Sequence, residues 1–335
     1  MRRLVLAAAL LALTLPATAQ TDRGALASRV VTQFLTPAYD QLSRAADDHA
    51  RAWEAHCAGT PQAGVVPTFR ALADAWSRTG FFRDGPMGKA GRAARSTFWP
   101  ARRNAVARGL APLLKDEAAP TPQSVRQASA AAQGLPALER LLFEDGGAAA
   151  LAEPAGARRC LVGRLIAGNL ADIAAAARAE TASLAQATAA DPEKSRELLA
   201  RVVTDALAEL EAERDLRLAQ GLGEDAAGAR PQAFEGWRAG RAQASLVEPL
   251  AGIERLVAAL ADGASGASNL TAALATAREV AAGLPEDFAR RLGDPNVRTR
   301  LTLLKAALRG AQDIAQADLP ALAGVTVGFN SRDGD

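Results

Sequence analysis

Few residues in this 335-residue chain can do chemistry, because it has two cysteines, two histidines and one tyrosine. The clearest group is Gly134-Leu135-Pro136-Ala137-Leu138-Glu139, at the head of an apolar helical pattern. Positions 136 and 139 lie three apart and share a helix face. Of the two, proline at 136 offers a metal no donor. Glu139 alone falls short of the three protein ligands that hold a catalytic zinc. It is read either as a polar site residue or as a carboxylate that caps a backbone group or pairs with an arginine.

His49 and His56 are seven apart with Trp53 between them, which places all three on one face of a helix. Two helical turns separate the imidazoles by roughly 10 Å of rise, too far for easy joint ligation. With Glu54 and Glu139 they are secondary candidates for metal ligands. The plainer expectation is two partly exposed histidines near a helix end. The chain contains no HExxH, CxxC, Walker loop or Gly-x-Ser-x-Gly sequence that would signal metallopeptidase, thiol-redox, nucleotide or serine-hydrolase chemistry. Cys57 and Cys160 are an even pair, and in an exported chain they are expected to form a disulfide, with two free buried thiols as the alternative.

Helices must position these groups. Leu26, Val30, Phe34, Ala38 and Leu42 recur at a spacing of four, with Pro37 expected to kink or break the run. A helix is expected from Thr68 to about Arg78, and a long one from Ala157 to Ala190. Thr121-Pro122, Asp191-Pro192 and Asp294-Pro295 each pair a capping side chain with proline at the first helical position. Pro231 opens a helix-rich stretch with a break expected at Pro249, and Leu319 to Asp335 has no helical pattern. Residues 79–100 interleave Gly80, Gly85, Pro86, Gly88 and Gly91 with Phe81, Phe82, Phe98 and Trp99, the pattern of a loop with aromatic anchors. Pro249 to Leu256 also resembles Gly134 to Leu141, a hint of internal duplication.

Gly134 to Phe143 resembles the signature of the imelysin family (imelysin-like or M75 peptidase proteins), Gly-x-His-x-x-Glu, with Pro136 in the place of the histidine. Gly85-Pro86 together with Phe98-Trp99-Pro100 looks like the family's aromatic loop. Phe234 to Arg241, with Trp237 and Arg238, looks like the segment opening a helix of the second bundle. Val327 to Asp335 is similar to the C-terminus of one exported branch. The resemblance implies an all-α fold of two related helical bundles with a short non-helical tail, and a site at the seam between them. Gly134, Pro136, Glu139, Gly85, Pro86, Trp99 and Arg238 are the residues expected there. It also implies export and an association with iron uptake, so that a metal ion such as iron is the cofactor or cargo to consider. The expected organisation is a signal peptide over 1–19, a first bundle over 20–190 with the loop at 79–100, and a second bundle with the tail over 191–335.

Arg2-Arg3, an apolar run to Leu15 and Ala17-Thr18-Ala19 have the three parts of a secretory signal, which predicts a periplasmic or secreted protein. The chain carries 39 Lys+Arg against 37 Asp+Glu, and both excess positives lie in that signal. A neutral mature chain argues against a protein that coats nucleic acid. No other stretch is read as a membrane span, and the abundance of Arg over Lys is read as genome composition and not as anion binding. The expected function is a binding or accessory component in iron or other metal acquisition without peptidase activity, with an iron-transport or outer-membrane receptor partner. The alternatives are a metallopeptidase with non-standard ligands, and an adaptor that docks a membrane transporter or receptor through Phe82, Trp99 and Arg238.

Overall fold

A computed structural model describes residues 22–60, 64–101, 103–115, 117–151, 153–263 and 265–326. The expected signal peptide and the tail from Val327 lie outside them. Among the described residues there is no strand. The first half comprises α1 (Arg23–Arg29), α2 (Thr36–Cys57), α3 (Val65–Thr79), α4 (Arg92–Ser96), α5 (Ala105–Lys115), α6 (Pro122–Gln127), α7 (Leu135–Phe143), α8 (Gly147–Leu151) and α9 (Ala157–Ala190). The second comprises α10 (Pro192–Ala212), α11 (Ala219–Leu222), α12 (Ala244–Ala261), α13 (Ser268–Ala282) and α14 (Pro295–Ala323).

The three predicted start devices cap their helices. Asp191 accepts from the Glu193 amide at 2.8 Å, Asp294 from the Asn296 amide at 2.9 Å, and Thr121 and Ser124 form a reciprocal capping box. Pro37 does not break its helix. The chain runs from α1 into α2 through a π-helical segment, Val30–Leu35, immediately before the proline. Wider π spacing is a recognised way to absorb a disturbed hydrogen-bond ladder. Pro249 likewise sits inside an unbroken α12. Pro231 opens only a short 3-10 turn, so Phe234 to Gln243 is loop and turn and does not open a helix. The non-helical stretch expected from Leu319 starts later: α14 continues to Ala323, with Leu319 buried, and ends at Gly324 in the left-handed conformation.

One bundle forms around α2, α3 and α9, and the other around α10, α12, α13 and α14. They interlock, because α1 packs on α10 and α3 packs on α12. By length and composition α9 qualifies as a membrane span, contrary to the sequence expectation. Its apolar positions Val162, Ile166, Leu170 and Ile173 are instead buried in the protein core.

The α2–α9 seam explains the histidine pair. A Cβ on Gly163 would meet the Trp53 ring at 2.3 Å, so only glycine lets the indole lie against α9. Trp53 Nε1 donates to His49 Nε2 at 2.9 Å, and His49 Nδ1 then donates to Thr68 Oγ1 at 3.0 Å. His49 is fully buried, and burial lowers its pKa to about 3, so it is a neutral core residue. His56 Nε2 donates to the Ala148 carbonyl at 2.9 Å. One turn beyond Trp53, Cys57 is bonded to Cys160, with Cα atoms 5.7 Å apart and 103 residues between them in sequence.

The disulfide restricts the unfolded chain through a long loop. Replacing both cysteines (C57S/C160S) is expected to lower the unfolding free energy by about 2–5 kcal/mol, read as a lower denaturant midpoint at unchanged m.

Candidate functional site

The first turn of α7 is placed by close backbone contact. Gly134 is its N-cap, and a Cβ there would stand 2.2 Å from the Ser96 carbonyl oxygen at the end of α4. Arg95, Gln133 and Asn169 tie this junction to α9. Arg95 donates to Gln133 Oε1 at 2.7 Å and to Asn169 Oδ1 at 2.9 Å, and Asn169 Nδ2 donates to the Gln133 carbonyl at 3.2 Å.

One turn further on, Glu139 is 6% exposed and reaches across to the second half of the chain. Its Oε1 accepts the backbone N–H groups of Arg238 and Ala239, both at 3.0 Å. Burial raises its pKa, opposed by those amides and by the Arg238 charge. The same loop is held to α3 by Arg70 Nη2, which donates to the Ala239 carbonyl at 3.1 Å, and by the ion pair of Arg241 with Asp74. Arg78 pairs with Glu248 to join α3 to α12.

A second polar cluster lies behind the first. Glu209, Glu213 and Arg217 follow each other at spacings of four along α10 and a π-helical segment, Glu213–Leu218. Arg217 donates to Glu209 and Glu213 at 2.6 Å each and to Glu235 at 3.1 Å, with the Trp99 ring 5.1 Å from its guanidinium carbon. Burial alone would lower the Arg217 pKa, but the three carboxylates hold it well above the ordinary arginine value. Burial pushes Glu213 well above the carboxylate range, and among the described residues its Oε2 has no hydrogen-bond partner. Thr97 Oγ1 donates to Glu235 at 3.2 Å, fixing that carboxylate from the first half.

These contacts frame a cavity of about 330 Å³ between α3, the 98–106 segment, the start of α7 and the loop before α12. Of the residues expected at the seam, Pro136, Glu139, Trp99 and Arg238 line it. Gly134 is not in the lining. Gly85 and Pro86 are not in the lining. Gly85 packs under the Phe82 ring, and the Pro86 carbonyl accepts from Arg92 Nη1 at 2.7 Å. The aromatic loop therefore divides: Phe81 and Phe82 enter the core, while Phe98 and Trp99 remain half-buried on the cavity. His49 does not reach the cavity, since Phe69 lines the wall and the His49 ring packs against it at 5.8 Å.

Sequence reasoning missed Arg140, Asn104, Glu235 and Arg241 in the lining. Nothing local marks Asn104, which has a φ of 55° and accepts from Arg140 Nη1 at 3.1 Å. The Glu209-Glu213-Arg217 cluster was missed as well, and its spacing of four is the signal that could have placed the three on one helix face. The internal match at Pro249–Leu256 leads elsewhere, for Glu254 pairs with Arg278 at 2.9 Å and takes no part in the cavity.

A family model for imelysin, peptidase M75, matches residues 35–315. Comparison with curated proteins finds no match. Among solved structures, an imelysin-like protein from Psychrobacter arcticum 273-4 is similar at a TM-score of 0.74 and 21% identity, covering 92% of this chain and 97% of that one. A protein from Parabacteroides distasonis ATCC 8503, described as a "putative iron-regulated protein A precursor", is similar at a TM-score of 0.69 and 14% identity, covering 90% and 95%.

Removing the Glu139 acceptor strands two buried N–H groups. E139A is expected to cost about 2–5 kcal/mol of stability and E139Q, which keeps a carbonyl acceptor, less than about 1.5 kcal/mol, measured by chemical denaturation.

Proposed function

The chain belongs to the imelysin family, and from that premise we propose an exported, periplasmic binding or accessory protein that serves iron or other metal acquisition through the seam cavity, without peptidase chemistry. The observation that carries this is the donor set around the family motif. Pro136 has no donor. Glu139 spends Oε1 on two backbone amides, and Glu235 is held by Arg217 and Thr97. Among the described residues no three His, Cys, Asp or Glu side chains are placed to hold a metal ion. A resident catalytic metal does not fit these residues, since such a site takes three protein ligands.

What the cavity offers is recognition. Aromatic walls with a few fixed polar groups are the usual make-up of a small-molecule site. The link to iron is supported by the wording "iron-regulated" for one similar structure, and export by the word "precursor" there together with the basic-apolar-small pattern of residues 1–19. The metal-acquisition role is assigned to the protein's pathway and not to a metal held by His49 or His56.

Purified mature protein is expected to retain well under one equivalent of metal after dialysis and to show no chelator-sensitive cleavage of a peptide library. A stoichiometric metal together with chelator-sensitive cleavage would overturn the proposal in favour of a peptidase with other ligands.

A further inference from the structure

We propose that the seam cavity takes a small planar or aromatic carboxylate, gripped by Arg140 and Arg238. This rests on the reading of the cavity as the binding site and names the chemistry of its ligand.

The first support is an unequal charge count at the cavity wall. Two guanidiniums share one carboxylate: Arg140 Nε meets Glu144 Oε2 at 2.8 Å and Arg238 Nε meets Glu144 Oε1 at 2.5 Å. Both oxygens of Glu144 are thereby used. Arg140 also gives Nη1 to Asn104 at 3.1 Å. Among the described residues, Arg140 Nη2 and both Nη groups of Arg238 have no hydrogen-bond acceptor. The two side chains keep 27% and 25% of their surface exposed, and both line the cavity. The other arginine of the lining, Arg241, is matched by Asp74, and Arg217 is sealed against its own carboxylates behind Trp99. The unspent charge that a ligand can reach is positive, and it sits on two planar forks. That geometry matches a carboxylate bidentately.

The second support is the apolar part of the wall. Arg238 is stacked on Trp237, its guanidinium carbon 4.5 Å from the ring centroid, so the fork is held in place before any ligand arrives. Phe98 and Trp99 stand half-buried on the same cavity and add aromatic surface to its wall. A volume of about 330 Å³ suits a compact ligand. A cationic ligand is disfavoured, because both carboxylates of the lining are already engaged, Glu139 through Oε1 by two amides and Glu235 by Arg217 and Thr97. The arginine richness read from sequence as genome composition thus contains two residues with a specific placement.

The test is isothermal titration calorimetry of the mature protein with benzoate and naphthalene-2-carboxylate, their neutral amides, benzylamine and inorganic phosphate. The carboxylates are expected to bind at least about tenfold more tightly than the amides, and less tightly as salt is raised. R140Q and R238Q are each expected to weaken carboxylate binding several-fold, and R238K as well, since lysine keeps the charge but loses the fork. Thermal midpoints identify which variants stay folded, and R140Q serves if R238Q does not. Equal affinity for amides or amines, binding of phosphate alone, or an unchanged Kd in folded R140Q and R238Q would overturn the carboxylate assignment. If that non-carboxylate binding is lost in W237A, the cavity remains the binding site. No heat from any probe would overturn both the ligand class and the cavity reading.

Discussion

The seam between the two halves depends on one buried carboxylate accepting two backbone amides. Glu139 comes from α7 in the first half, and the amides of Arg238 and Ala239 come from the loop before α12 in the second. A buried N–H without a partner costs on the order of 1–3 kcal/mol, so the loop cannot leave Glu139 without replacing both bonds. Arg70 and the Arg241–Asp74 pair hold the same loop from α3. The loop in turn carries Glu235, Trp237 and Arg238 to the cavity. Glu139 therefore acts as a clasp through Oε1. Proline stands at 136, one turn earlier, and Oε1 of Glu139 is engaged in positioning the loop.

Charge balance is the second constraint. Arg217 lies among three carboxylates, Glu209 and Glu213 buried and Glu235 half-buried, and burial raises the pKa of Glu213. A buried ion cluster of this kind adds little net stability, because desolvation offsets much of the attraction. Its structural effect is to fix Glu235 and Trp99, residues far apart in sequence, against one helix. The π-helical segment Glu213–Leu218 lies where this cluster forms, and such segments occur often at functional sites. On the opposite wall the imbalance runs the other way, with Arg140 and Arg238 sharing Glu144.

Much of the helical framework was legible because capping chemistry and periodicity are local. Asp191-Pro192 and Asp294-Pro295 cap helices as expected, and α9 has the predicted bounds. The family and the all-α class were legible from ordered motifs, and the cysteine pair from its count. The errors have a common cause, namely tertiary packing overriding a local signal. Pro37 and Pro249 sit inside helices that their neighbours hold together, and Leu319 extends α14 because it is buried. At the site, Glu139, Trp99, Pro136 and Arg238 could be named in advance, whereas Gly85 and Pro86 could not be separated from them, since sequence does not say which face of a loop meets a cavity. Arg140 and Asn104 gave no local signal, and they pair across 36 residues of sequence, with Asn104 in the left-handed region.

The most direct test of the clasp is amide hydrogen exchange across residues 234–243 in purified protein with and without a chelator, alongside E139Q and E139A. The account predicts strong protection of the Arg238 and Ala239 amides in the wild type whether or not chelator is present, partial loss in E139Q, and selective collapse in E139A. Amides that exchange freely until a metal ion is added, or that stay protected in a folded E139A, would contradict it.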